Sequence, residues 1–431
     1  MKHLTPFTSI TSNVIADTAK EFGTPVYLYD ERFLVDRCQS LLHIPHAYGL
    51  TVRYAMKANS TKALLNIIAS QGLKMDASSL SEAKRAHMAG IAYEKIILTT
   101  QEVPLGDDRA ALEEMMLQGL KYNVCSMRQL ELIADFAAAN RIALSMRVHP
   151  GMGAGESASR NTGDDYSCFG VHLKDIEKAM ALAAQKGIQF TQMHEHIGSG
   201  GDAAIWQQNV DLQLSILEKH FPHAATVSFG GGLKEARVPG EKAADPVALG
   251  AYAKKQLEAF YKRTGRKLQM EIEPGTFVMA NAGYIITKVM DKKQTNAGNF
   301  IIADGGMEVN ARPLCYGSRH PFYVISKKGE LLSSAFDAVK PSYTASLVGK
   351  CCESGDSQCL DESGKSLACP MAEPEIGDYV AIGGAGAYCS AMTPFNYNSH
   401  VQAPEVLYQA DGQLRCIRKK QSLEQIIANE L

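Results

Sequence analysis

The chain has 431 residues, enough for two domains, one of them barrel-sized, around a core that needs no metal or disulfide staple. Its formal net charge of -2 leaves no basic face suited to a phosphate backbone, so nucleic acid is not expected as a partner. The ten cysteines, at 38, 125, 168, 315, 351, 352, 359, 369, 389 and 416, lack the paired CxxC spacing of a zinc site; they read as free thiols of a reducing cytosol, and no metal is expected.

Met1 to Ile15 is polar and broken by Pro6, and no apolar run reaches the roughly 18 residues of a spanning helix. The expectation is a soluble, cytoplasmic protein with no membrane partner. Thr24–Tyr29 carries a strand signal. From Val52 to Gly275 strand-like and helical runs then alternate. Eight strands are predicted: Val52–Ala58, Leu73–Ser78, Lys95–Thr100, Lys121–Ser126, Ala143–Val148, Phe190–Ile197, Thr226–Gly231 and Leu268–Glu273. Between them lie runs rich in Ala, Leu, Glu and Lys, such as Thr61–Gln71, Ser81–Ala89, Asp107–Gln118, Met127–Asn140, Leu173–Lys186, Ala204–His220 and Pro246–Thr264. Eight strands each joined by a helix predict an α/β fold, a (β/α)8 TIM-type barrel.

After about Tyr284 the texture changes to short alternating runs at Ile285–Met290, Phe300–Ala303, Phe322–Ile325, Thr344–Val348, Tyr379–Ile382 and Glu405–Tyr408. Breaks of Gly, Pro and Asp separate them, as in a C-terminal all-β domain. The predicted boundaries are 33–283 for the barrel and 1–32 with 284–431 for a sandwich- or barrel-like β domain, which takes Thr24–Tyr29 because no barrel strand is left for it to be. Gly151 to Asp165, with four glycines and little apolar content, reads as a mobile active-site loop.

In a (β/α)8 barrel, chemistry sits where strands end and βα loops begin. Lys57, Asp76, His196, Gly230 to Gly232 and Glu273 all fall at such junctions. Singly each has an ordinary explanation: a solvated turn lysine, a glycine turn, a core histidine, a helix-entry acid. Together they outline one chemistry. A lysine amine forms a Schiff base with an aldehyde, and the most versatile protein-bound aldehyde is pyridoxal 5'-phosphate. That cofactor also needs a phosphate cradle, a flat partner for its ring and a carboxylate at its ring nitrogen. Ser228-Phe-Gly-Gly-Gly232 offers close backbone approach to a phosphate, and Glu273 can keep the ring nitrogen protonated. His194 and His196 point to the same face of a strand and could pass for a metal pair, but no further His/Cys cluster lies nearby in sequence. A ring stacked on the cofactor, with Ser199 reaching its phosphate, suits His196 better once Lys57 carries the cofactor.

The segments TPVYLYD, YAMKAN, HEHIGSG, SFGGGL, EIEPG, ARPLCYGS, CCESGD, GAGAY and FNYNS span nearly the whole chain. In this order they resemble the fold-type III pyridoxal-phosphate decarboxylases, most of all the bacterial diaminopimelate decarboxylases. Alanine racemases share the barrel but usually lack the CESGD and GAY segments. The resemblance implies decarboxylation of meso-2,6-diaminopimelate to L-lysine, the last step of lysine biosynthesis. It implies that Lys57 carries the cofactor, that His196 stacks on its ring, and that Asp76, Ser199, Gly231, Gly232, Glu273, Gly275, Thr276 and Tyr388 hold it. Cys352 is implied as the acid that protonates the decarboxylated carbon, and Arg312, Tyr316, Glu353 and Tyr388 as residues facing the substrate. A homodimer is implied too, the β domain of one subunit completing the site of the other. The residues themselves leave Cys351 and Cys352 open, since neighbours on a strand face opposite ways and only one of the two enters the site.

One departure bears on substrate. The resembling enzymes usually read EPGR where this chain reads Glu273-Pro-Gly-Thr276, and that arginine helps clamp the distal carboxylate. A lost charged hydrogen bond costs roughly 1.5–3 kcal/mol. Arg319 is either a replacement guanidinium or a surface residue. The alternative reading is therefore a sister decarboxylase whose substrate lacks the distal carboxylate, such as D-lysine, D-ornithine or a siderophore or polyamine precursor.

Overall fold

The computed structural model describes residues 4, 8–153, 161–198, 203–361 and 363–431. The chain forms two compact units, one of Arg37–Lys234 with Ala243–Phe277, the other of Met1–Asp36, Glu235–Lys242 and Val278–Leu431. No helix among the described residues is long and apolar enough to cross a membrane.

The first unit is a closed parallel barrel of eight strands: β1 (Leu50–Ala55), β2 (Lys74–Ala77), β3 (Ile96–Leu98), β4 (Lys121–Val124), β5 (Leu144–His149), β6 (Phe190–His194), β7 (Thr226–Ser228) and β8 (Gln269–Ile272). Each strand pairs with its neighbours in sequence, and β8 pairs back onto β1 to close the ring. The strands are buried nearly throughout, as helices on the outer face and packed side chains within demand. Local chemistry sets the helix ends. The Ser79 and Ser126 hydroxyls accept from the N–H groups of Glu82 and Gln129, while Asp245 caps Pro246–Thr264, which starts on its proline and ends at Gly265 with φ 72°.

Inward-facing residues of the barrel are polar in layers. Arg53 Nε meets Glu271 Oε2 at 2.8 Å with both side chains out of water, and Gln192 donates to Glu271 Oε1 at 2.6 Å. Two residues further along their strands stand Ala55, paired with Asp76 of β2, and Glu273. A buried ion pair adds little net stability, but losing one partner is costly, so this layer fixes the register of the layer above it.

In the second unit the strand Val26–Asp30 lies between Gly283–Thr295, antiparallel, and Glu405–Tyr408, parallel. The strands at Phe322–Ile325, Leu331–Ser334, Tyr379–Ile382 and Leu414–Arg418 extend this mixed sheet. Its core gathers Val26, Leu28, Tyr284, Ile286, Tyr323, Ile325 and Val406 beneath the helix Ser12–Phe22, whose Ile15 and Ala16 face inward. That helix lies where the sequence shows only a polar start; its apolar side is narrow, and Thr11 caps it by accepting from the Val14 N–H.

Candidate active site

The barrel mouth gathers six of the side chains at issue. β1 stops at Ala55, and Met56–Ala58 turn into a 3-10 helix with Met56 and Ala58 buried and Lys57 exposed. Lys57 therefore stands on a turn anchored at both sides, not on the strand that the sequence suggests. Tyr54 Oη locks this turn by donating to the Asn59 carbonyl at 3.0 Å.

Glu273, buried, receives two hydrogen bonds. His194 Nε2 approaches its Oε2 at 2.8 Å, and Ser228 Oγ donates to its Oε1 at 3.0 Å. Burial alone would raise its pKa, but the charge and hydrogen bond of His194, with His196 and Ser228 adding to them, bring it down to about 2. Asp76 goes the other way: burial, then the charge of Glu273, push it well up against the opposing pull of Lys57 and the Thr99 hydroxyl. Two buried carboxyls are thus shifted in opposite directions, Glu273 down and Asp76 up. The Thr99 hydroxyl also accepts from Asn123 Nδ2 at 3.2 Å, and Asn123 Oδ1 accepts from Ser145 at 2.8 Å. Asp76 Oδ1 and His194 Nδ1 remain buried without a partner among the described residues.

His196 lies past the end of β6, which stops at His194. Burial and the nearby charges of Lys57, Arg147 and His194 hold its pKa well below the usual imidazole range. The Gly231 N–H donates to its Nδ1 at 3.2 Å, which leaves the proton of the neutral ring on Nε2. Gly230 and Gly232 have φ of 65° and 93°, and a Cβ at Gly230, Gly231 or Gly232 would come within 2.3, 2.5 or 2.6 Å of the carbonyls of Glu195, Glu273 and Gly198. Glycine is required at all three. The Gly230 N–H turns to Ser228 Oγ, whereas no acceptor among the described residues takes the N–H of Gly232. Gly275 is buried, and Thr276, half-buried, begins the short helix Thr276–Met279. Ser199 lies outside the described residues, as do residues 154–160 of the Gly151–Asp165 loop.

In the second unit Arg312 is buried, donates to Ser318 Oγ at 3.1 Å, and has its guanidinium carbon 5.7 and 5.6 Å from the ring centres of Tyr316 and Tyr388. Its Nε is buried without an acceptor among the described residues. Tyr388 has φ 58°, a strained backbone held by its surroundings. Cys351 and Cys352 sit in an irregular turn after the strand Thr344–Val348, so strand alternation does not sort them. Their environments do. Cys351, half-buried, donates to Glu308 Oε2 at 3.4 Å, and burial followed by the charges of Glu308 and Asp356 pushes its thiol pKa up. Cys352 is exposed, and its N–H donates to Asn398 Oδ1 at 2.8 Å. The Glu353 carboxylate accepts from Gly355 N–H, Ser354 and Tyr397, which hold its pKa down. The Asp356 carboxylate accepts from Met307 N–H at 2.6 Å and Cys351 N–H at 2.7 Å, fastening the turn from below. These hydrogen bonds account for the proximity of Glu308, Cys351 and Asp356 without a metal ion.

The barrel residues fit pyridoxal phosphate on the structure's own terms. An amine stands on a fixed turn, a neutral imidazole is oriented through its second nitrogen, a carboxylate is kept ionised in a dry site, and a backbone N–H is left open beside glycines that admit close approach. Two contributors escape the sequence reading. Arg147, buried at the end of β5, donates to the His196 carbonyl at 3.3 Å and lies 4.8 Å over the Phe169 ring. Its place at the C-terminal end of a barrel strand is the signal that marks Asp76, and applies to it equally. His194 is the direct partner of Glu273; its position two residues before His196 places it inward but does not reveal what it meets.

Residues 35–280 match the sequence family described as "Pyridoxal-dependent decarboxylase, pyridoxal binding domain". The diaminopimelate decarboxylase of Escherichia coli (strain K12) is 32% identical over 427 residues, covering 98% of this chain and 98% of its own. A crystal structure of diaminopimelate decarboxylase superposes with a TM-score of 0.89 at 30% identity, covering 100% of this chain and 99% of the other. That of Helicobacter pylori, complexed with L-lysine, superposes with a TM-score of 0.79 at 26% identity, covering 96% of this chain and 98% of the other.

Proposed function

This chain belongs to the pyridoxal-dependent decarboxylases, and from that membership we propose that it removes CO2 from meso-2,6-diaminopimelate to give L-lysine, as the last step of lysine biosynthesis. The observation that carries the substrate is the similarity to diaminopimelate decarboxylases through both units, the CCESGD turn included.

When bound, pyridoxal phosphate supplies an aldehyde carbon for the substrate amine and a protonated ring that accepts the electron pair left by departing CO2. Lys57 would attach it, and the uncharged face of His196 would lie against its ring. Glu273 would hold the proton on the ring nitrogen. Asp76, whose burial favours its protonated form, would add to the cofactor's surroundings. Gly231, Gly232, Gly275, Thr276, Ser199 and Tyr388 would complete the cradle, with the open Gly232 N–H toward phosphate. Cys352, the exposed thiol of the pair, would deliver a proton to the decarboxylated carbon. Arg312, with its unmatched buried Nε, would take a substrate carboxylate beside Tyr316, Tyr388 and Glu353. We further place the enzyme in the cytoplasm as a homodimer in which each subunit's CCESGD turn serves its partner.

Thr276 favours a second reading, a substrate without a distal carboxylate, such as D-lysine, D-ornithine or a siderophore or polyamine precursor. In that reading Arg319, which is exposed, is a surface residue. Incubating purified enzyme and pyridoxal phosphate with meso-diaminopimelate tests the first reading. Equal amounts of CO2 and L-lysine support it, and no release of either sinks it.

A further inference from the structure

Three separate segments of the second unit carry the side chains assigned to the substrate: Arg312 with Tyr316, the CCESGD turn with Cys352 and Glu353, and the loop at Tyr388. Near each of them in sequence stands a fully enclosed polar residue. Asn310 lies two residues before Arg312, Gln358 two residues after the Asp356 that ends CCESGD, and Cys389 directly after Tyr388; they are 1%, 0% and 0% exposed. The three meet. Asn310 Nδ2 donates to Gln358 Oε1 at 3.0 Å, and the Cys389 sulfur lies 3.4 Å from Asn310 Oδ1 and 3.6 Å from the Ala387 carbonyl, its one proton shared between them. Burial pushes the Cys389 thiol up to about 11, which keeps it a donor.

The trio is tied to fixed backbone on every side. The Asn310 N–H donates to Gly306 O at 2.9 Å and the Gln358 N–H to Leu347 O at 2.9 Å. Two buried tyrosines of the strand Val26–Asp30 hold the flanks: Tyr27 Oη donates to the Val309 carbonyl at 2.7 Å, and Tyr29 Oη to Ser390 Oγ at 3.2 Å. The TPVYLYD segment thereby braces the residue before Asn310 and the residue after Cys389. Apolar side chains would fill this space with no preferred orientation between the segments, whereas hydrogen bonds in a dry interior admit one arrangement and penalise departures from it. Gln358 Nε2 finds no acceptor among the described residues, a cost that argues for a trio kept for its geometry and not for stability.

We propose that Asn310 is a positioning residue for the reaction, its side-chain amide coupling the Arg312 segment, the Tyr388 loop and the CCESGD turn so that carboxylate binding by Arg312 and proton delivery by Cys352 share one geometry. This rests on the decarboxylase reading. Enclosed as it is, Asn310 acts only through these neighbours. Without its amide, Arg312 and Cys352 keep their chemistry and lose their common register: turnover falls, and the proton reaches the decarboxylated carbon from a less defined direction.

The test compares the parent with Asn310→Leu, Gln358→Leu, the double variant, and Gln358→Glu, whose carboxyl oxygen still accepts from Asn310 Nδ2. Turnover of meso-diaminopimelate in deuterium oxide gives kcat, KM and the face on which deuterium enters the decarboxylated carbon, read by NMR of a chiral amide of the product. Each Leu variant is expected to lower kcat/KM about tenfold or more and to place deuterium on both faces. The double variant should be no worse than the worse single, because both remove one shared contact, and Gln358→Glu should stay within about threefold of the parent. Hydrogen exchange needs no turnover: Asn310→Leu should speed exchange in residues 348–358 and 386–390 as well as 306–312, and leave the barrel as in the parent. Deuterium on a single face in both Leu variants, independent effects in the double variant, or exchange that rises only in 306–312 or throughout the chain overturns the proposal. A parent that releases no CO2 from meso-diaminopimelate sinks the decarboxylase reading instead, and the exchange pattern then decides the coupling by itself.

Discussion

His194 Nε2 lies 2.8 Å from Glu273 Oε2 inside the barrel, and this contact keeps a fully enclosed carboxylate ionised. Replacing His194 by Leu leaves Glu273 with Ser228 alone, and burial then raises its pKa. Breaking such a pair costs about 3 kcal/mol. We expect urea unfolding to read a loss of that size, and the acid limb of the activity profile to move to higher pH as Glu273 takes up a proton.

His196 makes stability depend on pH in a definite direction. Its folded pKa is depressed below the ordinary 6.5, so the unfolded chain binds the proton first and native stability falls as pH drops below that value. The raised pKa of Asp76 works oppositely, favouring the native state at lower pH. His196→Phe keeps a flat ring without the proton. Melting followed from about pH 7.5 to about 5.5 should lose less in the variant, by up to about 1.4 kcal/mol per pH unit. Parallel curves would count against a neutral His196.

Gly230→Ala sets a Cβ 2.3 Å from the Glu195 carbonyl at a φ of 65°. We expect about 1–3 kcal/mol of destabilisation, together with weaker cofactor binding, seen as loss of pyridoxal phosphate on dialysis. A variant that melts and retains cofactor like the parent would show that this loop tolerates a side chain.

Asp356→Ala leaves the N–H groups of Met307 and Cys351 without their acceptor. About 1–3 kcal/mol of stability should be lost, and kcat should fall with little change in KM if the turn positions Cys352 for proton delivery. A larger effect on KM than on kcat would assign the turn to substrate binding instead.

Periodicity made most of the architecture legible. The helix Pro246–Thr264 and the strands Phe322–Ile325, Thr344–Val348, Tyr379–Ile382 and Glu405–Tyr408 have the bounds read from sequence, because proline, glycine and polar breaks bracket them. Strand ends at functional loops were read too long. β7 stops at Ser228 because Gly230 turns to positive φ, and β6 stops at His194 so that His196 can turn toward Gly231. Residue types marked Lys57, Asp76, His196 and Glu273 as one chemistry, whereas the pKa shifts of Asp76, His196 and Glu273 depend on His194, Arg147 and Thr99, brought close by barrel closure. The sorting of Cys351 from Cys352 rests on Glu308, 43 residues from Cys351, which no local pattern links to the turn.

Measuring kcat/KM for meso-diaminopimelate and D-lysine on one preparation with pyridoxal phosphate, in wild type and in Thr276→Arg, decides whether the enzyme decarboxylates meso-diaminopimelate. The expected result is L-lysine and CO2 from meso-diaminopimelate with the larger kcat/KM, raised about tenfold or more by the added guanidinium. Faster turnover of D-lysine by the wild-type enzyme, with no L-lysine from meso-diaminopimelate, would contradict it.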